Sequence, residues 1–229
     1  MCQHLSAANL HQNAQALFCE LFSIEQKYFG VLTKLFNVAR FASQFDVPKN
    51  FKTPPEELLI EDRWILSEFD GMMRQVEAAW EDIDIYTAAQ TLKGFGTGVF
   101  PSHWLEMAKS RLYDGDARAA WTLHRIVRDI LTGLTPICPF FTHYLSTELY
   151  GESSIDVREF PLLNDELLGN DAKRLRSMTN HISDFNSSVW KAKKDAGISL
   201  KSPISDFEIP SELAELSEPL IKMHALDFS

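Results

Sequence analysis

The chain has 229 residues, of which 45% are hydrophobic and 11% aromatic, and its net charge at pH 7 is −10. This length and composition are typical of a globular protein with one large domain, or with a good core and a smaller module. No apolar run reaches the roughly 20 residues that span a bilayer, and the N-terminus lacks the layout of a signal peptide. The acidic balance argues against indiscriminate binding to nucleic acid, which depends on phosphate neutralisation.

Cysteine and histidine usage points to a cytoplasmic protein. Cys2, Cys19 and Cys138 are odd in number and widely spaced, which favours reduced thiols, with Cys138 in the core. The seven histidines form no cluster with the spacing of metal ligands. We therefore predict no metal site.

The charges are unevenly distributed along the chain. Residues 56–84 contain ten acids and two arginines, a balance of −8. Residues 173–201 contain seven bases against Asp184 and Asp195, a balance of +5. Such asymmetry permits a basic face on an acidic protein, although a charge run is also simply a solvated face.

The stretch from Tyr28 to Phe45 belongs to a predicted first helix over 17–46, and it carries two different stripes. The predicted core stripe comprises Tyr28, Phe29, Leu32, Leu35, Phe36 and Ala39. Lys34, Asn37 and Phe41 form the second stripe, with Arg40 on the flank. A cation, an amide and a ring can contact a phosphate, hydrogen-bond a base edge and stack on a base. Packing of Phe41 and Phe45 against a second neighbour in a bundle, with the polar residues solvated, explains the same pattern.

Four more helices and a proline-rich loop follow. The loop covers 47–60, and a second helix over 61–84 has a predicted buried face of Trp64, Ile65, Phe69, Met72, Met73, Val76 and Trp80. A third helix runs from Ile85 towards Tyr113, with a kink at Gly98–Pro101. The fourth covers Ala117 to Leu134, and the fifth begins near Pro139, where a missing N–H is harmless.

The last third of the chain predicts a connector and a small mixed module. Residues 152–165 form the connector, and 166–196 form one long helix that Gly197 ends. A strand is expected over 204–209, a short helix over 210–222 and the start of another strand over 223–228.

Four segments resemble the anticodon-binding region of class I tRNA synthetases, in the same order. TKLFNVARF (33–41) resembles the lysine-leucine-aromatic-asparagine-alanine-alanine-arginine-phenylalanine segment of valyl-tRNA synthetases. LLIEDRWILSEF (58–69) resembles a segment shared by the valine, isoleucine and leucine enzymes, and FPSHWLEMAKSRLY (100–113) also matches the family. LTPICPFFTHYLSTELYG (134–151) resembles the run that closes these bundles, but His143 replaces the family's glutamate.

The resemblance implies a mainly α fold: an anticodon-binding helix bundle over 17–151. A linker remnant (1–16) precedes it, and the connector (152–165) leads to a long basic helix with a small α+β module (166–229). The implied partner is the anticodon loop of valine tRNA, bound by a monomer, with neither DNA nor membrane as partner. An isoleucyl enzyme is the alternative. The implied tRNA-binding residues are Arg40 and Phe41 at a base, Lys34 and Asn37 as weaker contacts, and Lys109 and Arg111 at phosphates.

Motifs for catalysis are missing from the sequence. It has no histidine-isoleucine-glycine-histidine motif, no lysine-methionine-serine-lysine-serine loop, and neither a Rossmann fingerprint nor a P-loop. We therefore predict no catalytic residue and no cofactor in this fragment, whereas an intact valine–tRNA ligase uses ATP. Two alternatives stay open: a helical protein-interaction module that uses the acidic 56–84 face, and a helical hydrolase that uses His103, His124 or His143.

Overall fold

A computed structural model describes residues 30–155, 157–205 and 207–227 of the chain. The predictions for the linker remnant at 1–16, for the start of the first helix at 17–29 and for Cys2 and Cys19 lie outside these ranges. Across the described ranges no helix combines the length and the apolar character needed to cross a membrane.

The described part of the chain is a mainly α bundle. Its elements are α1 (30–42), α2 (Ile60–Glu81), α3 (Ile85–Gly94), a π-helical segment (Phe95–Trp104), α4 (Leu105–Tyr113), α5 (Ala117–Leu134), α6 (Pro139–Tyr150), α7 (Asp165–Leu168), α8 (Ala172–Asp195), a 3-10 turn (Ser211–Leu216) and α9 (Ser217–His224). The predicted loop before α2 and the predicted helix bundle are confirmed.

Helix α2 lies at the centre of the bundle, where it packs against α3, α5 and α8. Its predicted inner face is buried, except that Trp80 is only half-buried. Two acids, Glu61 and Asp62, occupy the first turn, where the positive end of the helix dipole favours carboxylates. The helix begins one residue before the predicted start and ends three residues before the predicted end.

The irregularity predicted in the third helix is present, and the chain stays helical through it. Residues Phe95–Trp104 form a π-helical segment that contains Gly96, Gly98 and Pro101 and joins α3 directly to α4. Proline lacks the N–H that a regular α-helix needs and clashes with the preceding turn, so a wider turn accommodates it here. Phe100 and Trp104 from this segment are buried and stack with ring centroids 5.4 Å apart.

Helix α1 packs through part of the predicted stripe, since Leu35 and Ala39 are buried and Leu32 is half-buried. Its buried residues are Leu35, Val38, Ala39 and Ala42, whereas Phe36 is 40% exposed. A Cβ on Gly96 would lie 3.0 Å from Cδ2 of Leu35, so this glycine permits the close approach of α1 to the π-helical segment. The prediction that Phe36 faces the core is therefore wrong, because aliphatic residues of α1 form the contact instead. The helix also ends at residue 42, before the predicted 46.

The long helix predicted over 166–196 is two helices. Gly169, with φ of +71°, lies between α7 and α8, and a residue in this left-handed conformation cannot continue an α-helix. The predicted C-terminal end is confirmed: Gly197 has φ of +67°, and the amide of Ile198 donates to the carbonyl of Lys193 over 3.0 Å.

The predicted strands after residue 200 are not formed in the described residues. A single parallel bridge pairs Ile204 with Leu226, and a 3-10 turn followed by α9 lies between them. The expected α+β module is therefore a helical appendage, whose Leu213, Leu216 and Leu220 are buried in the common core.

Candidate nucleic-acid interface

The outer face of α1 presents three polar side chains to solvent. Lys34, Asn37 and Arg40 are exposed, and none of their side chains bonds or ion-pairs with another described residue. They follow each other at a spacing of three residues, which places them along one side of the helix. The two cations can bind phosphates, and the amide between them can hydrogen-bond a base edge.

Phe41 lies at the border between this face and the core. Its ring is half-buried and contacts Phe45 and Tyr113, with centroids 5.0 and 6.1 Å away. Phe45 and Tyr113 are 5.7 Å apart, so the three rings form one cluster of edge-to-face contacts. Phe41 thus combines the two interpretations of its pattern, because it packs against a second helix and still retains exposed surface.

Lys109 is paired within its own helix, as its spacing predicts. Its ammonium group contacts the carboxylate of Glu106, and both side chains are about 40% exposed, at 39% and 41%. An exposed pair of this kind is weak, so a phosphate can compete for the lysine.

Arg111 is not free to meet a phosphate, and the prediction that it is free is wrong. Its guanidinium donates to Asp62 over 2.6 Å, to Glu61 over 2.7 Å and to Asp116 over 2.9 Å, and its side chain is only 13% exposed. Burial opposes the charge, but the hydrogen bonds to Asp62 and the surrounding carboxylates outweigh it and raise the pKa of Arg111 above its ordinary value. Arg111 holds α4 to α2.

The ring of Tyr113 was missed as a candidate by sequence reasoning. Tyr113 is the last residue of α4 and is 65% exposed, yet it belongs to the cluster with Phe41. The only local signal was an aromatic residue directly before the Asp114-Gly115-Asp116 turn. Its contact with α1 joins residues 72 positions apart, and periodicity within one helix does not show such a contact.

Two of the three histidines considered for catalysis are buried structural groups. His124 contacts the hydroxyl of Tyr150 at 3.5 Å and the carbonyl of Phe45 at 3.2 Å, and burial lowers its pKa. His103 is buried against Asn186, 2.8 Å away. His143 is exposed on α6. These are the contacts of structural histidines, and among the described residues they assemble none of the relay that a hydrolase needs.

The two charge runs are partly neutralised inside the fold. In the acidic run, Glu61, Asp62 and Asp70 are buried, and Asp70 accepts from Arg74 over 2.8 Å. In the basic run, Lys193 is buried and Arg174 pairs with Asp171 and Glu215. The exposed bases that remain there are Lys173, Lys191, Lys194 and Lys201.

Residues 62–209 match the family model of the anticodon-binding domain of tRNA ligases, which is more than half of the chain. The chain belongs to this family. The chain is also 32% identical over 203 residues to the valine–tRNA ligase of Aeropyrum pernix, an alignment that covers 84% of this chain and 24% of the relative. The valine–tRNA ligase of Saccharolobus solfataricus is 32% identical, with 76% of this chain and 20% of the relative covered.

A third relative is the valine–tRNA ligase of Methanosarcina mazei, at 30% identity over 78% of this chain and 21% of its own length. The chain thus spans between a fifth and a quarter of the length of these curated relatives. These comparisons confirm the family resemblance on which the predicted fold and the candidate surface depend.

Proposed function

We propose that this domain recognises the anticodon loop of a tRNA as part of a valine–tRNA ligase. The observation that carries the proposal is the outer face of α1, where Lys34, Asn37 and Arg40 have no side-chain partner among the described residues and lie beside the half-buried ring of Phe41. Membership of an anticodon-binding family and relatives named valine–tRNA ligases support it.

Each residue has a distinct role in this proposal. Arg40 hydrogen-bonds a base edge or the adjacent phosphate, and Phe41 stacks on an unpaired base, each worth about 1–3 kcal/mol. Lys34 and Asn37 contact the backbone and a base edge. Lys109 is a peripheral phosphate contact, and Arg111 has no role at the RNA because three carboxylates hold it.

The intact protein of this proposal ligates valine to its tRNA with ATP in the cytoplasm. The domain acts as a monomer and supplies tRNA recognition, while the remaining length of the ligase supplies the chemistry. The same surface suits an isoleucine–tRNA ligase, so the experiment must separate the two.

The test is the binding of the domain to valine and isoleucine tRNA transcripts, each with its own anticodon and with the two anticodons exchanged. Fluorescence anisotropy at two salt concentrations gives the dissociation constants. We expect the binding preference to follow the valine anticodon. Arg40→Ala should weaken the affinity for the preferred transcripts by about five- to 150-fold.

The matched control is Lys222→Ala. Like Arg40→Ala it removes one positive charge, but from an ammonium group that already pairs with Glu218 over 2.8 Å. It should leave the affinity unchanged. Equal binding to all four transcripts, insensitive to Arg40→Ala, would reject anticodon recognition and favour a protein-interaction module. A preference that follows the isoleucine anticodon would assign the other enzyme.

A further inference from the structure

A groove of about 770 Å³ lies beside the ring cluster of Phe41, Phe45 and Tyr113. Its walls are the chain from Gln44 to Pro55 on one side and the junction of α4 and α5 on the other. Grooves of roughly 300–1,000 Å³ are the usual size of small-ligand sites. Phe45 and Tyr113 belong both to the cluster and to the lining of the groove, so the rings stand at its mouth.

The wall formed by the loop is held in place by the core. The indole N–H of Trp121, a buried residue of α5, donates to the carbonyl of Asn50 over 2.8 Å. Arg125 donates to the carbonyl of Phe51 over 2.7 Å. Two backbone carbonyls of the loop are therefore anchored to α5, which holds the loop beside the groove.

The charges in the groove suit a base better than a phosphate. Its charged lining residues are Asp46, Lys49 and Asp116, so acids outnumber bases. Asp116 is already bound by Arg111 and Arg118 over 2.9 and 3.0 Å, which leaves the exposed Asp46 and Lys49 to face a ligand. The exposed Asn50 accepts the amide of Lys52 at Oδ1 over 2.8 Å and keeps its NH2 group for a ligand. A carboxylate can accept from the amino group of a base and an amide NH2 can donate to a base carbonyl, whereas phosphate binding needs an excess of cations.

The exposed Tyr113 is pre-positioned for stacking. Its ring meets those of Phe41 and Phe45 at 89° and 62°, and these contacts restrict its rotation while 65% of the residue stays exposed. A ring ordered before binding loses little conformational entropy when a base stacks on it. The helix α4 thus adds a platform that α1 alone lacks.

We propose that Tyr113 and the adjoining groove receive a second unpaired base of the RNA loop, next to the base held by α1. This inference rests on the proposed function, since the same RNA must lie on α1. Tyr113 stacks on the base, and Asp46 or Asn50 reads its edge. The ligand class is a single-stranded RNA nucleobase.

The experiment measures the binding of anticodon stem–loops in which each loop nucleotide in turn is abasic, with the wild-type domain and with Tyr113→Leu. Leucine keeps an apolar side chain but has no ring. On the complete loop we expect Tyr113→Leu to weaken binding by about five- to 150-fold. With the base missing at one loop position, that loss should disappear, and it should persist for the other abasic loops.

The matched control is Tyr113→Phe, which retains the ring and should bind within about twofold of the wild type. A thermal melt of each variant verifies that the fold is intact. A loss that is the same for every abasic loop, or the absence of any loss, would overturn the stacking role. If Arg40→Ala still weakens binding in that case, the proposed function survives and only this inference fails. If the wild-type domain does not distinguish these loops from an unrelated hairpin, both are rejected.

Discussion

Two regions of this domain place arginine and lysine in opposite situations. On α1, Lys34 and Arg40 are exposed and have no partner among residues 30–155, 157–205 and 207–227, whereas Arg111 and Lys193 are held by partners inside the bundle. Arg111 meets three carboxylates, and Lys193 donates to the carbonyls of His224 and Leu200 over 2.6 and 2.8 Å. The comparison teaches that the partners, and not the residue type, decide whether a cation is available to RNA.

The largest effect is expected from removing a partner of Arg111. Asp62 is fully buried and accepts from Arg111 over 2.6 Å and from the indole of Trp104 over 3.1 Å. Asp62→Ala should lower the free energy of unfolding by about 3–5 kcal/mol, because it leaves a buried cation under-compensated. Urea unfolding measures this change.

The matched control for Asp62 is Glu106→Ala, which removes a carboxylate from the exposed pair with Lys109. Here the loss should stay below about 1 kcal/mol, since solvent replaces the partner. An equal loss of unfolding free energy in the two variants would contradict the distinction between charged pairs buried in the bundle and charged pairs on its surface.

A change of pH should have an intermediate effect on stability, through the buried group of residues around His224. His224 is buried, accepts no bond at Nδ1 from any described residue, and contacts Asn186 at 2.7 Å. Burial, with Lys193 and His103 nearby, lowers the pKa of His224 from 6.5 to about 4. The unfolded chain therefore takes up this proton first as the pH falls below 6.5.

The stability should consequently fall between pH 6.5 and about 4, by up to about 3 kcal/mol from this group, and level off below that range. Unfolding curves across the range, compared with those of His224→Gln, isolate the contribution because glutamine does not titrate there. A decline with the same slope in the variant would show that His224 does not contribute.

The smallest effect is expected on the outward face. Lys34→Ala should change the free energy of unfolding by less than about 0.5 kcal/mol, because its side chain has no partner among the described residues. It should nevertheless reduce the slope of log affinity for tRNA against log salt by about one unit. Lys222→Ala should leave the slope unchanged. A marked loss of stability in Lys34→Ala would show that α1 depends on this residue and would weaken the comparison.

Local signals in the sequence were enough to predict several helices. Helix α5 has the predicted bounds, Ala117 to Leu134, because Asp116 caps its first turn and Pro136 follows its end. Helical periodicity places one set of apolar side chains inward, and all of them are buried: Trp121, Leu123, Ile126, Val127, Ile130 and Leu131. In the part of the chain that the structure describes, the predicted strands after residue 200 are reduced to one bridge, since apolar alternation over a few residues does not distinguish a strand from a segment that packs beside a helix.

By itself the sequence determined the order of most helices and the ends of α5, because these depend on residues within a turn of each other. It also determined the family, because the family's motifs are short segments of sequence. The tertiary structure decided which candidate residues are available. Arg111 donates a hydrogen bond to Glu61, fifty residues away in the chain, and the ring of Tyr113 contacts that of Phe41 on another helix. Such contacts depend on how helices pack, and a residue's own surroundings in the chain do not contain that information.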